Sequence, residues 1–168
     1  MSFLQIENLI LSIHGIPILK DVSLSAAKGE IIGVIGESGS GKSMTAFSVM
    51  DLLPAGTKLN GRIALDGEDL VAKTEAQMCG IRGNDIGMIF QEPMTALNPV
   101  KTIGDQVAET VLIHGNADRR EATAIARDTL NRVGLPAEQF PLSRFPHELS
   151  GGQRQRVALA RSLAKKPK

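Results

Sequence analysis

The sequence has no tryptophan, no tyrosine and only five phenylalanines. Proteins that bind single-stranded nucleic acid without sequence preference stack its bases on aromatic side chains, so this scarcity argues against that class. The net charge is only +1, which gives the chain no overall attraction for a polyanion. The charge is uneven, however, because residues 141–168 carry four arginines and three lysines against one glutamate.

Disulfides and membrane-spanning segments are also missing from the pattern. The single cysteine, Cys79, excludes an internal disulfide and fits a reducing compartment. No apolar run approaches the ~18 residues that a membrane-spanning helix needs. The first ten residues have no basic lead-in and include Glu7, unlike a secretory signal. We therefore expect the protein in the cytosol or on a cytosolic membrane face, held there by another protein.

The residues that are present predict a single α/β domain. The 168 residues are 42% hydrophobic, enough to bury a core. Apolar spacing predicts strands up to about residue 95 and helices thereafter, which suggests an α/β core carrying a helical insertion. The expected strands are 4–6, 9–13, 16–19, 22–24, 30–36, 62–65 and 86–90, and the expected helices are 43–53, 102–114, 118–133 and 150–164.

A phosphate-binding loop is predicted at "GESGSGKS", Gly36 to Ser43, which matches G-x-x-x-x-G-K-[ST] at every fixed position. A β-branched run precedes it and a predicted helix follows, which is the context the motif requires. Glycines let the backbone N–H groups wrap closely around an anion. Lys42 is expected to bridge the β- and γ-phosphates, and Ser43 to bind Mg²⁺. A glycine-rich turn without a ligand is the alternative.

The class of nucleotide-binding protein is narrowed by a second absence. A GTPase needs a guanine-recognition element of the form N-K-x-D, and no asparagine in the sequence begins one. Kinases, helicases and transport ATPases stay open at this point.

Gln91 follows the apolar run "IGMIF" at the predicted carboxyl end of a strand. Ligands bind at that end of the strands in open α/β sheets. Its amide carbonyl is therefore a candidate to reach Mg²⁺ or an attacking water. A solvated loop residue is the competing interpretation.

Helix capping explains some, but not all, of the residues in the segment "LSGGQ", Leu149 to Gln153. Ser150 and Gln153 form the S-x-x-Q capping box that begins a helix. Two glycines inside the first turn weaken the helix, so capping does not explain them. A ligand that approaches the backbone closely would explain the two glycines. A helix N-terminus with a hydroxyl is suited to a phosphate.

Together these motifs resemble the ATP-binding-cassette (ABC) transporter ATPases. Gly36–Ser43 resembles their Walker A loop, Gln91 their Q-loop glutamine, and "LSGGQRQRVALARSLAKKP" their signature and its helix. "FQEPMTALNP" and "FPHELSGGQRQRV" are most similar to the dipeptide, oligopeptide and nickel importer branch. The resemblance spans the whole chain. It implies a P-loop NTPase (RecA-like) core with an N-terminal antiparallel β portion and a helical subdomain, C-terminally incomplete.

The resemblance also implies a division of the chain and a set of functional residues. Residues 1–95 would form the α/β ATP-binding core, 96–149 the helical subdomain and 150–168 the signature helix. The residues expected to bind ATP are Gly36, Glu37, Ser38, Gly39, Ser40, Gly41, Lys42, Ser43 and Met44, with Gln91 and with His14 as the candidate to stack on adenine. Ser43 and Gln91 are the expected Mg²⁺ ligands. Leu149, Ser150, Gly151, Gly152 and Gln153 would bind the ATP of a second subunit.

The partners implied are a second ATPase subunit in a head-to-tail dimer, transmembrane permease subunits and, indirectly, a substrate-binding protein. No direct contact with nucleic acid is expected. The chain would lie peripherally on the cytoplasmic face of the inner or plasma membrane. Two alternatives stay open: a soluble ABC ATPase acting on nucleic acid or ribosomes, and a non-catalytic remnant.

One element of the family pattern is absent from these 168 residues. Family cassettes continue after the signature helix into an apolar strand that ends in Asp-Glu, and no such pair follows an apolar run here. Hydrolysis depends on positioned charges. We therefore expect an incomplete domain that turns over little ATP, whether as a fragment of a longer reading frame or as a remnant.

Overall fold

A computed structural model describes residues 2–91, 96–115 and 117–168 of the chain. It divides into two compact units, residues 1–79 and 80–168. Strands dominate the first unit and helices dominate the second, as the apolar spacing predicts.

The first unit is built on a four-stranded antiparallel sheet with the order β2-β1-β3-β4. The strands are β1 (Leu4–Ile13), β2 (Ile16–Ala26), β3 (Thr57–Leu65) and β4 (Glu68–Asp69). His14 and Gly15 connect β1 to β2 with φ angles of 49° and 83°. Positive φ at both central positions is the pattern of a type I′ turn, whose twist matches that of the flanking strands.

The sequence predicts four short strands where the structure has the two long strands β1 and β2. The register of this pair shifts between Ile6 and Leu9. Asn8 and Asp21 adopt positive φ angles of 48° and 56°, and Asn8 Nδ2 donates a hydrogen bond to Asp21 Oδ1 at 2.9 Å. These bulges bend the pair without ending it, because an irregular residue can be accommodated inside a continuing ladder.

The predicted strands 30–36 and 86–90 are wrong. Residues 30–37 and 87–90 have no ladder partner among the described residues, and only a single bridge joins Ile86 to Arg82. Ile31 and Ile35 are 97% and 96% exposed. An apolar β-branched sequence favours extended backbone, but a strand also needs a hydrogen-bonded neighbour, and no described strand pairs with either segment.

Helix α1 (Lys42–Val49) begins after the turn that follows the first of these segments. The prediction extends it to Leu53, but the chain turns earlier, where Asp51 has a φ of 49°. Its last turn is buried: Ser48, Val49 and Met50 are each less than a tenth exposed.

The second unit is a helical cluster. Its helices are α3 (Ile103–His114), α4 (Arg119–Arg132) and α5 (Gly151–Leu163), with a 3-10 turn at Pro146–Glu148 and with α2 (Glu75–Ile81) preceding them in the chain. Thr102 caps α3 and Asp118 caps α4, each by accepting a hydrogen bond from a backbone N–H of the first turn. Gly134, with a φ of 77°, ends α4 as predicted.

Apolar side chains from all three long helices form one core, so α5 belongs to the same packed unit as α3 and α4. Its fully buried members include Val107, Leu130 and Val157.

The loop after α4 is held by Arg127, whose guanidinium donates to the carbonyls of Leu135 and Phe140. Burial lowers the pKa of Arg127, and the nearby charge of Glu138 opposes that shift.

Candidate functional site

The predicted phosphate loop, Gly36–Ser43, has a backbone that favours glycine at two positions. Gly39 and Gly41 adopt φ angles of 82° and 90°, a region that side chains disfavour. A Cβ on Gly41 would lie 2.4 Å from Leu19 Cδ2, and one on Gly36 would lie 2.8 Å from Ser40 Oγ. The glycines therefore permit both the left-handed turns and the tight closure of the loop.

Lys42 folds back over this loop. Its Nζ donates to the carbonyl oxygens of Gly36 at 2.8 Å and Glu37 at 2.6 Å, and approaches Ser40 Oγ at 3.3 Å. The ammonium group is thus held at the mouth of the loop by neutral acceptors. An anion offers it a stronger, charge-assisted set of acceptors in the same region.

The N-terminus of α1 also suits an anion. Gly41 is the N-cap, no side chain caps the helix, and its first turn has no acidic residue. The N–H groups of a first turn have no partner inside the helix, and the helix dipole is positive there. Ser43 is exposed in this turn, and Glu37, Ser38, Gly39 and Ser40 are exposed in the loop, whereas Met44 is half-buried.

Magnesium fits this arrangement if it arrives with the nucleotide. The described ranges contain no group of three or more His, Cys, Asp or Glu side chains that could hold a metal ion. Mg²⁺ bound with phosphates needs only one or two protein ligands, all oxygen. The exposed hydroxyl of Ser43 is an oxygen donor of that kind; Gln91, which also carries an exposed amide oxygen, lies in the second unit.

Gln91 is exposed and is the last described residue before a gap at 92–95. The strand that was expected to end at Gln91 is not formed. The structure describes instead how the chain is held before Gln91, at Met88, and again from Ala96 onward.

His14 lies in the tip of the β1–β2 hairpin, with its imidazole against the backbone of Gly56. A Cβ on Gly56 would lie 2.3 Å from His14 Cε1, and His14 N donates to Gly56 O at 3.0 Å. The ring is exposed overall. It is therefore supported on one side and accessible on the other.

The signature segment, Leu149–Gln153, contains the predicted capping box. Gln153 Oε1 accepts from Ser150 N at 2.8 Å, and Ser150 Oγ accepts from Gln153 N at 3.4 Å. Leu149 is buried, whereas Ser150, Gly151 and Gly152 are exposed. A Cβ on Gly152 would meet nothing within 4 Å. The fold of this chain therefore does not require a glycine there.

Two arginines of α5 bind carbonyls in ways the sequence does not predict. Arg154 Nε donates to Pro146 O at 2.8 Å and Leu149 O at 3.1 Å, bracing the turn before Ser150. Arg156 Nη1 donates to Gly134 O at 3.2 Å. No local periodicity encodes these contacts. The one sequence feature that could have pointed to these contacts is the pair of arginines close to the start of a helix that begins with two glycines.

Comparisons with known proteins assign the family. The model of the ABC transporter family matches residues 19–168. The oligopeptide transport ATP-binding protein AppD of Bacillus subtilis (strain 168) is 45% identical over 91% of this chain and 47% of its own length. The glutathione import ATP-binding protein GsiA of Escherichia coli O157:H7 is 45% identical over 99% of this chain and 28% of its own length. The chain belongs to the ABC transporter family and resembles its peptide importer branch.

The fold agrees with this assignment. The ATP-binding cassette MJ0796, solved as a dimer in a post-hydrolysis state with ADP and Pi, matches with a TM-score of 0.84 and 30% identity. The match covers 98% of this chain and 70% of that cassette. The predicted fold class is confirmed. The chain spans about half the length of AppD and a smaller share of GsiA. Within the described residues, no helix has the length and hydropathy needed to cross a membrane.

Proposed function

We propose that this chain is the nucleotide-binding part of the ATPase subunit of a peptide importer and that Gly36–Ser43 holds the phosphates of ATP. One observation carries the proposal: Lys42 Nζ lies on the carbonyls of Gly36 and Glu37, at the mouth of a loop that leads into an uncapped helix. Phosphate oxygens would replace those carbonyls as its acceptors. Backbone N–H groups of the loop and of α1 would bind the remaining oxygens.

The other loop and hairpin residues have supporting roles in this proposal. Glu37, Ser38, Gly39 and Ser40 would contribute backbone N–H groups, and Met44 would back the first turn of α1. Mg²⁺ would neutralise phosphate charge, with Ser43 and Gln91 supplying oxygen ligands. His14 would stack on adenine through the ring face that Gly56 leaves open.

The signature segment would bind the ATP of a second subunit. Ser150 Oγ and the bare N–H groups at Gly151 and Gly152 form an exposed helix N-terminus. Leu149 anchors it in the core. The partner surface needs room near the backbone, and Gly152 provides it at a position where this chain gains nothing from a glycine.

The importer assignment is supported by relatives named for oligopeptide transport and glutathione import. On that basis the partners would be a second ATPase subunit, membrane permease subunits and, through them, a substrate-binding protein. The chain would lie at the cytoplasmic face of the membrane without entering it. Those names favour an importer over an ATPase that acts on nucleic acid or ribosomes.

A substitution of Lys42 tests the nucleotide site. We expect Lys42→Ala to weaken ATP binding about tenfold or more, equivalent to ~1.4 kcal/mol, in a fluorescence titration with labelled ATP. Lys101→Ala is the matched control because it removes the same charge at a surface position. Lys101 pairs there with Glu109 of α3. Equal losses for both variants would mean that the loop binds no phosphate.

We also propose that ATP hydrolysis requires catalytic groups that these 168 residues do not supply. The phosphate loop and the signature segment would hold phosphates; Glu37 would contribute its backbone N–H, and the signature segment has no carboxylate. A polypeptide of this sequence should therefore release phosphate from ATP no faster than its Lys42→Ala variant. Turnover at the rate of an intact cassette would contradict that expectation.

A further inference from the structure

A cavity of about 610 Å³ lies in the second unit, between the last turn of α3, one face of α4 and the end of α5. Its volume falls within the range of small-molecule sites, ~300–1,000 Å³. The described residues that line it all belong to the second unit, and neither the phosphate loop nor the signature segment is among them.

The floor of this cavity is apolar. It is formed by Val111, Thr129 and Ala164, which are buried, and by Ile125, which is half-buried. The hydroxyl of Thr129 donates its proton to Ile125 O at 2.8 Å, within the same helix. Ala124 lies exposed beside Ile125 and leaves the floor open. The floor therefore suits small apolar groups.

Charged side chains of both signs surround this floor. They are two acids of α4, Glu121 and Asp128, and three bases, Arg132, Lys165 and Lys166. Within the described part of the chain, no hydrogen bond or ion pair engages any of these side chains. Asp128 and Arg132 are one helical turn apart, a spacing at which opposite charges can pair, yet they do not. The charges of the rim are therefore available to a ligand.

Lys165 extends from the end of α5 to the end of α3. A Cβ on Gly115 would lie 3.2 Å from Lys165 Nζ and 2.9 Å from Val111 O. The ammonium group therefore lies at the carbonyl end of α3, where the helix dipole favours a cation. An incoming carboxylate would meet a positioned cation that no described acidic side chain neutralises.

Only a ligand that carries both signs is matched by this rim. An anionic ligand would be repelled by Glu121 and Asp128, and a cationic ligand by the three bases. Glu121 and Arg132 are separated by 11 positions of α4, which is about 16 Å along the helix axis. Because an extended peptide spans ~3.3–3.6 Å per residue, about three to five residues cover this length.

We propose that this cavity binds short zwitterionic peptides of that length, with small side chains on the floor and the two charged termini at the rim. The inference rests on the proposed function only for the source of the ligand, since a peptide importer delivers such molecules to the side of the membrane on which its ATPase subunit lies. The cavity would fill as imported peptide accumulates, which is the requirement for regulation by product.

Titration of the 168-residue chain with tetraalanine, followed by amide chemical shifts in NMR spectra, tests the site. N-acetyl-tetraalanine and tetraalanine amide are the matched ligands, because each loses one terminal charge and keeps the apolar part. We expect each to bind about threefold or more weakly than tetraalanine. Absence of binding overturns the inference. Equal affinity of the three peptides also overturns it and assigns the cavity to a segment of a protein chain.

Two variants place the ligand in the cavity. Ala124→Phe fills the cavity and keeps every charge, so it should lower the affinity for tetraalanine about tenfold or more. Lys165→Ala should weaken tetraalanine binding and leave the binding of tetraalanine amide unchanged, because only the free peptide has a carboxylate. Lys101→Ala, which removes the same charge from a surface pair with Glu109, is the matched control and should bind all three peptides as wild type does. Wild-type affinities in Ala124→Phe and Lys165→Ala would contradict the assignment to this cavity.

ATP titration of the same samples separates this inference from the nucleotide site. Lys42→Ala should bind tetraalanine as wild type does. A wild-type chain that binds ATP but no peptide overturns the inference alone. A chain that binds tetraalanine with the expected dependence on its termini, but not ATP, supports the inference and overturns the nucleotide site.

Discussion

Arg154 and Leu149 are joined by a hydrogen bond of 3.1 Å from Nε to the carbonyl oxygen, directly before the first residue of the signature helix. The same Nε lies 2.8 Å from Pro146 O. The arginine thus ties the helix to the 3-10 turn that leads into it. This brace fixes the direction in which Ser150 enters the helix.

Replacing Arg154 tests the brace. We expect Arg154→Ala to lower the free energy of unfolding by about 1–2 kcal/mol, because two buried carbonyls lose a charged donor. Urea denaturation followed by circular dichroism measures this. Arg156→Ala should cost less, since Arg156 is exposed and makes a single bond of 3.2 Å. A larger loss of unfolding free energy in Arg156→Ala would contradict the stabilising role of the Arg154 contacts.

Gly152→Ala should separate stability from function. Its Cβ enters open space, and alanine favours the helix over glycine, so the free energy of unfolding should rise by up to about 1 kcal/mol. ATP-dependent self-association, measured by light scattering, should weaken because the new methyl group occupies the space proposed for the partner's phosphate. Undiminished self-association in this variant would argue against the signature role.

Gly134→Ala is the matched control for that substitution. Gly134 has a φ of 77°, so alanine there should destabilise the chain by about 1 kcal/mol. Self-association per folded molecule should stay at the wild-type level. Gly152 and Gly134 are therefore expected to respond to the same substitution with opposite signs of stability change.

Two glycines of the phosphate loop should differ in their tolerance of alanine. Both have positive φ, 82° at Gly39 and 90° at Gly41, and each should pay backbone strain of about 1–2 kcal/mol. Only Gly41 also faces a buried side chain, since its Cβ would lie 2.4 Å from Leu19 Cδ2. Thermal unfolding and ATP titration should therefore show a larger loss in Gly41→Ala. Comparable losses would indicate that Leu19 moves aside.

His14 can be tested by changing the ligand. If its ring stacks on adenine, His14→Ala should weaken ATP binding by about 1 kcal/mol or more and leave the binding of inorganic triphosphate unchanged. Isothermal titration calorimetry with both ligands measures the difference. Parallel losses for the two ligands would assign the ring to packing against Gly56 alone.

The importer assignment makes a prediction about partners. Affinity-tagged protein should recover a two-subunit membrane permease from detergent-solubilised cells. Recovery of ribosomes or DNA in place of the permease would favour the rival class of soluble ABC ATPases. Nuclease treatment of the sample distinguishes specific recovery from charge-driven adsorption by the basic residues of 141–168.

Local patterns predicted the elements that depend on neighbouring residues. The capping box at Ser150 and the end of α4 just before Gly134 are decided within one helical turn. The predicted strands at 30–36 and 86–90 failed because pairing is a property of two segments. Their apolar sequence favours extension and cannot specify a neighbour.

In the candidate site, too, the features set by neighbouring residues could be predicted and the long-range contacts could not. The conformation of the phosphate loop is encoded by the loop itself, so the motif locates it. The bonds from Arg154 to Pro146 and from Arg161 to Ala96 join residues separated by eight and 65 positions. Such contacts depend on how the helices pack, and a single sequence carries no local sign of them.

The contact of Lys42 with its own loop bears on the thermodynamics of binding. Loop carbonyls already serve as acceptors for Lys42 in place of phosphate oxygens, so a nucleotide would exchange existing hydrogen bonds for stronger ones and order little new backbone. The heat released should then fall below what a count of new phosphate contacts suggests. The entropic penalty should also be small, and the loop should accept its ligand rapidly without first having to fold.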